Sequence, residues 1–304
     1  MKALRKLYYK IHRHVGLRRA RADFASCRDG LAIQLNGGRI GFFAQLSQCL
    51  ILFHYADVTR QPIRVHLISN NYSDADRGHD WLVYFFEWAC PPPDSDAKLI
   101  RIRSRLDIRL GDFRDMTLDH ARELFFHHLR VRKNIVAEVD AFCSINEING
   151  NTLALHYRGT DKSLEAPRVD HKDAIAALEM RLRERPDFTS LFIASDEGDF
   201  IAHCRQALPH VRIVTYRESR PVLGGKPIHF GRRASGNYLI GKDALMTSLI
   251  LSRCGAILRT TSFLSAWASI FNPDLDVTLL NVPHPNKAWF PETEILKTAR
   301  ILKP

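Results

Sequence analysis

The chain has 304 residues, of which 45% are hydrophobic and 25% charged, so it can bury a sizeable core and is predicted to form two domains. No apolar run approaches the ~20 residues of a membrane span, and the opening segment lacks the apolar stretch of a secretory signal. The formal net charge of +11 predicts an anionic partner: nucleic acid, an acidic membrane surface or a phosphate-bearing substrate.

The cysteines and the first residues bear on location. The six cysteines are dispersed without a CxxC pair, which is typical of reduced thiols in a cytoplasmic protein and predicts that they are neither zinc ligands nor a disulfide framework. Residues 2–21 carry eight lysines and arginines and no acidic residue, with apolar side chains at helical spacing. This segment is predicted either to lie on an anionic membrane, at the periphery of the inner membrane, or to be a solvated basic tail.

Residues 1–150 are predicted to form the first domain, which begins with a strand, a glycine-containing turn and a helix from Gly41 to Val58. In the turn, NGGRIG, Gly38 and Gly41 permit close backbone approach to a ligand, although a GGxxG pattern also occurs in plain turns. The next strand is IRVHLIS. A buried helix, WLVYFFEWAC, is predicted to end at three consecutive prolines, and residues 118–142 are predicted to form one long helix or two.

Residues 151–304 alternate short apolar runs with helical patterns, which predicts a parallel sheet covered by helices. The predicted strands are TLALHY, SLFIAS, VRIVTY, GAILRT and VTLLN. The predicted helices are HKDAIAALEMRLRER, DEGDFIAHCRQAL, KDALMTSLILSRC and SFLSAWASIF. Because such sheets bind ligands at the carboxyl ends of their strands, the candidate site residues are those that follow the strands.

Five ionisable residues follow the first of these strands within ten positions: His156, Arg158, Asp161, Lys162 and Glu165. The planar guanidinium of Arg158 matches a phosphate bidentately, and Lys162 adds a compact positive charge. One of the two carboxylates could orient Arg158, while the other accepts a proton from an attacking hydroxyl. A buried structural ion-pair cluster explains the same residues equally well.

Three consecutive hydroxyl residues, Thr260, Thr261 and Ser262, separate a buried strand from an apolar helix. Such hydroxyls can cap the helix. Alternatively, they can present donors to an anion, with assistance from backbone N–H groups and the helix dipole. Both interpretations stay open at this point.

Three segments together resemble the GDP-fucose-dependent fucosyltransferases, most closely the α-1,6-fucosyltransferases: HYRGTDK, FIASDE and DALMTSLILSRCGAILRTTSFLSAW. The family motif HxRRTDK corresponds to residues 156–162. Gly159 replaces its second arginine, which gives the motif some α-1,2-type character. The resemblance covers roughly residues 150–272. It implies a GT-B architecture, in which two Rossmann-like domains face each other across a cleft and the C-terminal domain binds the donor nucleotide.

The resemblance also implies roles for individual residues. In donor binding, His156 is assigned to the nucleotide, Arg158 to the diphosphate and Asp243 to the guanine. Thr261 and Ser262 are assigned to phosphate or ribose. The same donor site is expected to include Asp161, Thr260, Gly38 and Gly41. The residues that correspond to catalytic positions are Arg158, Lys162, Glu165 and Asp196.

The expected activity is transfer of fucose from GDP-fucose to a glycan or glycolipid acceptor, with inversion at the anomeric carbon. Arg158, Lys162 and a helix amino end would stabilise the departing diphosphate, so neither a metal nor another cofactor is expected. A carboxylate on the opposite side of the sugar would take the proton of the acceptor hydroxyl.

Two alternatives stay open: a metal-dependent glycosyltransferase that uses another nucleotide sugar, and a nucleotide- or carbohydrate-binding protein without catalysis. A DxD tripeptide at Asp74–Asp76 suggests the former, but two further tripeptides fit the same pattern, at 94–96 and 274–276. The sequence lacks a GxxxxGK[ST] phosphate loop, which disfavours a kinase. Its basic residues lack aromatic interleaving, which disfavours a nucleic-acid partner. Trp289 is predicted to lie in the core or to stack on an acceptor sugar.

Overall fold

The structure is a computed structural model that describes residues 30–38, 40–91, 99–103, 116–159, 165–216, 236–285 and 287–302. These residues form an α/β protein in which both larger sheets are parallel. The described strands are β1 (Leu31–Gly38), β2 (Ile63–Ser69), β3 (Phe86–Trp88), β4 (Leu99–Arg103), β5 (Leu129–Val131), β6 (Thr152–Tyr157), β7 (Ser190–Ser195), β8 (Arg212–Val214), β9 (Ala256–Arg259), β10 (Asp276–Leu279) and β11 (Arg300–Ile301). The described α-helices are α1 (Phe42–Thr59), α2 (Leu82–Phe85), α3 (Leu118–His128), α4 (Lys133–Ile145), α5 (His171–Glu184), α6 (Gly198–Ala207), α7 (Asn237–Leu251), α8 (Phe263–Phe271) and α9 (Glu292–Thr298).

The N-terminal sheet has the order β2-β1-β4 within the described part of the chain. Residues of β2 alternate between buried and half-buried, with Val65 and Leu67 fully buried, as expected for a strand with one face on the core. The connection from β1 to β2 runs through α1, because parallel neighbours need a crossover. The predicted strand–turn–helix–strand order of this region is confirmed.

The described strands of the C-terminal half form a six-stranded sheet in the order β11-β10-β9-β6-β7-β8. Every residue of β6 is buried, as is typical of a central parallel strand. The chain first adds β7 and β8 on one side of β6, and then adds β9, β10 and β11 on the other side. The strand order therefore reverses between β6 and β9.

Trp267 of α8 connects the core of the C-terminal half to helices of the N-terminal half. Its ring lies 5.5 Å from that of Phe43 in α1 and 5.3 Å from that of Phe125 in α3. Its indole N–H donates to Ser47 Oγ over 2.9 Å. One hydrophobic cluster therefore runs through residues on both sides of position 150.

One predicted helix is wrong. Within WLVYFFEWAC, α2 ends at Phe85, and Phe86 begins β3, which pairs antiparallel with β5. Both phenylalanines are buried, so a continuous apolar run fitted either element, and the backbone partner offered by β5 decided the outcome. Residues 118–142 form two helices, α3 and α4, with β5 between them.

Two observations bear on the predicted membrane association. The basic segment 2–21 lies outside the described residues. Among the helices within the described ranges, none combines the length and the apolar composition that a membrane crossing requires.

Candidate active site

The candidate site lies at the carboxyl ends of β6 and β9. These two strands pair in parallel, with His156 opposite Arg259 in the register. A reversal of strand order opens a crevice at this edge, because the helices that follow the two strands leave toward opposite faces of the sheet. The residues predicted from HYRGTDK and from the hydroxyl cluster therefore meet in one place.

Backbone and hydroxyl contacts join the two strand ends. The Arg158 N–H donates to Thr260 Oγ1 over 2.9 Å, and the Thr260 N–H donates to the His156 carbonyl over 3.0 Å. Thr260 is 1% exposed, so these contacts are shielded from water. Thr260 thus holds the backbone of Arg158, and its predicted contact with the donor stays a prediction.

Asp196, which follows β7, contacts Arg158 from the neighbouring strand. Its Oδ2 lies 3.8 Å from Arg158 Nε, and its Oδ1 accepts the Gly159 N–H over 3.3 Å. A carboxylate beside Nε fixes the plane of a guanidinium, which bidentate phosphate recognition requires. Asp196 is placed to orient Arg158, a role for which the sequence suggested Asp161 or Glu165.

Glu197, which the sequence pattern did not single out, lies beside Gly159. Its Oε2 is 2.7 Å from His171 Nε2, and its Oε1 is 3.6 Å from Arg168. A Cβ atom added to Gly159 would overlap the Glu197 carboxylate. The family motif has a second arginine at the position of Gly159. In this chain, the Glu197 carboxylate occupies the space that a side chain at this position would need.

The hydroxyl turn after β9 is fixed by Asn281. The Thr261 N–H donates to Asn281 Oδ1 over 2.8 Å, and Asn281 Nδ2 donates to the Pro167 carbonyl over 2.7 Å. Ser262 precedes α8, but its side chain makes no capping hydrogen bond. Its Oγ is buried and contacts no hydrogen-bond partner among the described residues. The capping interpretation is therefore wrong for Ser262, and its contact with an anion stays a prediction.

A buried ion pair lies behind this turn. Arg259 Nη1 and Nη2 donate to the two Glu292 carboxylate oxygens over 3.1 and 2.5 Å, and both residues are 0% exposed. Arg259 also donates from Nε to Ser265 Oγ over 2.9 Å and from Nη2 to the Ser262 carbonyl over 3.1 Å. Burial lowers the pKa of Arg259, and Glu292 acts in the opposite direction. The pair thus joins the Ser262 turn to α9.

Tyr72 contacts the start of α1, directly after the glycine turn of the N-terminal half. The Phe42 N–H, at the start of α1, donates to the Tyr72 hydroxyl over 2.9 Å. Burial raises the pKa of Tyr72, while the Phe42 N–H and the positive charge of Arg158 act in the opposite direction. The charge of Arg158 therefore acts on Tyr72, whose hydroxyl accepts the N–H of the residue that follows Gly41.

Within the glycine turn, packing requires Gly37, whereas it leaves open space at Gly41. A Cβ atom on Gly37 would overlap the fully buried side chain of Gln45. Gln45 Nε2 donates a hydrogen bond to the Ile40 carbonyl over 2.9 Å, and Gln45 Oε1 accepts one from Trp81 Nε1 over 3.0 Å. A Cβ atom on Gly41 would meet no atom within 4 Å.

We expect Gly37→Ala to lower the free energy of unfolding by about 1–3 kcal/mol, because Gln45 would have to leave its hydrogen bonds. Gly41→Ala is the matched control. Its backbone φ of −64° suits alanine, so its effect should stay within about 0.5 kcal/mol. Denaturant unfolding of both variants measures the difference, and equal effects would contradict the packing explanation.

Asp74, the first residue of a DxD candidate, caps α7. Its Oδ1 accepts the Asn237 N–H over 3.0 Å, and its Oδ2 accepts the Tyr238 N–H over 2.8 Å. First-turn amides have no intrahelical acceptor, so the carboxylate satisfies groups that would otherwise stay unpaired. This geometry explains the aspartate without a metal.

Asp74→Ala is expected to lower the free energy of unfolding by about 1 kcal/mol through loss of the cap. Asp74→Asn should cost somewhat less than alanine, because asparagine keeps one acceptor oxygen for one of the two N–H groups. The sugar transfer expected from the sequence, measured per folded molecule, should stay at the wild-type level in both variants and in the control Asp76→Asn. Loss of turnover in Asp74→Asn with an intact fold would instead indicate a metal ligand.

The remaining predicted residues are placed as follows. Asp161 and Lys162 lie outside the described residues. The Glu165 carbonyl accepts the His284 N–H over 2.8 Å, next to the loop that follows β10. Asp243 is half-buried on α7, and its Oδ1 is inaccessible to solvent. The proposed roles of these residues stay predictions.

Comparisons with known proteins identify the fold. No family model and no curated protein matches the sequence. The structure of NodZ alpha-1,6-fucosyltransferase soaked with GDP-fucose matches with a TM-score of 0.51 and 18% identity, covering 79% of this chain and 92% of that chain. POFUT1 in complex with GDP-fucose matches with a TM-score of 0.46 and 10% identity, covering 81% and 94%. A mutant of Arabidopsis thaliana FUT1 in complex with GDP matches with a TM-score of 0.49 and 10% identity, covering 93% and 79%. On the first of these matches, the chain has a fucosyltransferase-like fold.

Proposed function

We propose that this protein is an inverting, metal-independent glycosyltransferase that transfers fucose from GDP-fucose to a glycan or glycolipid acceptor. The observation that carries the proposal is the contact between Arg158 and Asp196 beside the point where the strand order of the six-stranded sheet reverses. A guanidinium oriented by a carboxylate at such a crevice suits a diphosphate. The fucosyltransferase-like fold supports the choice of donor.

Arg158 and the amino end of α8 are the proposed partners of the donor diphosphate. The side chain of Arg158 is 20% exposed, so water screens its charge only partly. The buried Ser262 hydroxyl and the first amides of α8 add donors that carry no formal charge. Lys162 is assigned to the same diphosphate by its motif position. These groups would stabilise the charge that develops as the diphosphate leaves.

The proposed architecture is GT-B, with Rossmann-like domains at residues 1–150 and 151–304 that face each other across a cleft. The two parallel sheets support this assignment. The donor would bind mainly to the C-terminal domain, with Asp243 at the guanine and His156 at the nucleotide. Gly38 and Gly41 would approach the donor from the N-terminal side.

Glu165 is the proposed general base. Its carboxylate would take the proton of the acceptor hydroxyl as the new glycosidic bond forms and the bond from the sugar to the diphosphate breaks. Attack opposite the leaving group inverts the anomeric carbon. The hydrogen bond from the His284 N–H to the Glu165 carbonyl fixes the backbone of this residue next to the loop after β10.

A cavity of about 610 Å³ beside the glycine turn is the proposed entry for the acceptor. Its lining includes Ile40 of the turn, Gln48 of α1, and Phe263 and Trp289 of the C-terminal half. Phe263 and Trp289 stack with their ring centroids 3.3 Å apart. Aromatic rings with a nearby amide suit a sugar or the apolar portion of a glycolipid.

Calorimetric titration of the protein with GDP, UDP and CMP, each with and without Mg²⁺, tests the proposed donor. We expect GDP to bind most tightly and its affinity to be the same with and without the metal. Affinity that requires Mg²⁺ would favour the metal-dependent alternative. GDP binding without turnover in a full acceptor screen would favour the non-catalytic alternative.

A cytoplasmic location, with peripheral attachment to the inner membrane through residues 2–21, stays a prediction, as does the exclusion of a nucleic-acid partner. Binding of the full chain to vesicles with and without anionic lipid measures the electrostatic contribution to membrane binding. We expect this binding to weaken with added salt.

A further inference from the structure

A second cavity lies at the opposite end of the N-terminal sheet from the glycine turn. It has a volume of about 460 Å³ and is lined by the end of α1, the start of β2, the end of α3 and the residues after β3. The seven residues of β2 run from this cavity to Ser69, whose hydroxyl donates to the Gly38 carbonyl. At about 3.3 Å per residue, the cavity is about 20 Å from the glycine turn.

Three potential metal ligands converge in this cavity: Asp57, His127 and His128. One ligand atom of each residue lies within 4.8 Å of those of the other two. His128 Nε2 is 3.0 Å from Asp57 Oδ1. The ring centroids of His127 and His128 are 4.9 Å apart, and the ring planes are 87° apart. The two rings therefore do not stack on each other.

Secondary structure holds these three side chains in position. Asp57 lies in the last turn of α1, and the two histidines are the last residues of α3. The His128 ring stacks on Phe53 of α1 with centroids 4.4 Å apart, and the Ala89 N–H donates to its carbonyl over 2.9 Å. At 9% exposure, His128 is the fixed member of the set, and the two exposed residues can adjust around an ion.

We propose that Asp57, His127 and His128 bind Zn²⁺ or a similar divalent transition-metal ion at a site separate from the candidate active site. Two imidazole nitrogens and one carboxylate oxygen suit such an ion, whereas Mg²⁺ and Ca²⁺ prefer oxygen ligands. Zinc bound by three protein ligands keeps a fourth position for water, and the cavity provides space for it. The ion would link the end of α1 to the end of α3.

Arg60 and Cys90 line the same cavity and bear on the expected affinity. The charge of Arg60 opposes a cation, which favours moderate rather than very tight binding. The Cys90 thiol donates a hydrogen bond to the His127 carbonyl over 3.3 Å, which fixes the backbone of this metal ligand. We therefore expect a Kd for Zn²⁺ of about 1 μM, or about −8 kcal/mol by the standard conversion.

Calorimetric titration of the untagged full chain with ZnCl₂ tests the site. We expect about one ion per chain at this affinity, and Asp57→Asn and His127→Ala should each weaken binding at least about tenfold. Both residues are exposed, so these variants should fold, which circular dichroism checks. His120→Ala is the matched control, because His120 lies on the same helix and packs against His54 with ring centroids 5.6 Å apart, outside the cluster.

Two further measurements distinguish a specific metal site from adventitious metal binding by scattered surface histidines. Co²⁺ should give the visible spectrum of a four-coordinate complex in the wild type and not in His127→Ala. Zn²⁺ should raise the Tm of the wild type and of His120→Ala, and raise it much less in Asp57→Asn and His127→Ala. Unchanged zinc affinity in Asp57→Asn and His127→Ala would overturn the proposal. An equal loss of affinity in His120→Ala, or competition by Mg²⁺ at similar concentration, would also overturn it. None of these measurements depends on the proposed sugar transfer.

Discussion

Replacing Arg158 with lysine is expected to lower kcat/KM for GDP-fucose by about 10²–10³-fold, the usual effect of removing one preorganised donor at a developing negative charge. The ammonium of lysine keeps the charge but cannot reproduce a planar fork with one edge beside Asp196 and the other toward a diphosphate. Steady-state kinetics and titration with GDP measure turnover and affinity separately.

Arg253→Lys is the matched control for this substitution. Arg253 is half-exposed and pairs with Asp140 of α4 over 2.9 Å, so a lysine there should leave the kinetics unchanged. Wild-type kinetics in Arg158→Lys would refute the role of Arg158. An equal loss in both variants would indicate a general effect of the substitution rather than a lost contact with the donor.

Glu292→Ala is expected to lower the free energy of unfolding by about 3–5 kcal/mol. The substitution would leave the charge of Arg259 fully buried without its bidentate partner, and it would loosen the Ser262 carbonyl and α9. Denaturant unfolding measures the loss. Because the same arginine holds the hydroxyl turn, we also expect weaker GDP binding in the fraction that stays folded.

Two comparisons show whether the ion pair itself is responsible. Glu294→Ala removes a carboxylate of the same helix that pairs with the exposed Lys297 over 2.5 Å, and it should cost no more than about 1 kcal/mol. The double variant Arg259→Leu, Glu292→Leu should be more stable than Glu292→Ala, because no unpaired charge stays buried. Equal losses for Glu292→Ala and Glu294→Ala would contradict the explanation.

The parallel sheet of the C-terminal half could be predicted because its strands are short apolar runs separated by helical patterns. All residues of β6 are buried, so TLALHY is apolar on both faces apart from its polar ends. The segment that forms α2 and β3 could not be predicted. Its run of aromatic residues fits a buried helix and a buried strand equally, and its pairing with β5 depends on residues about forty positions later.

In the site, residues at strand ends were predictable and their partners were not. Arg158 and Thr260 each follow an apolar run, so parallel strands bring them to one edge. Glu197 follows β7 and Arg259 ends β9, but the pattern does not indicate their contacts with His171 and Glu292. Glu292 lies 33 residues beyond Arg259, and no periodic pattern in the chain connects the two.

The most direct measurement is a crystal structure of the protein with GDP in the presence of Mg²⁺. We expect oxygens of the diphosphate within about 3 Å of the Arg158 guanidinium, near the Ser262 hydroxyl, with no ion between nucleotide and protein. A nucleotide bound away from the ends of β6 and β9, or a magnesium ion bridging the diphosphate to carboxylates, would contradict this expectation.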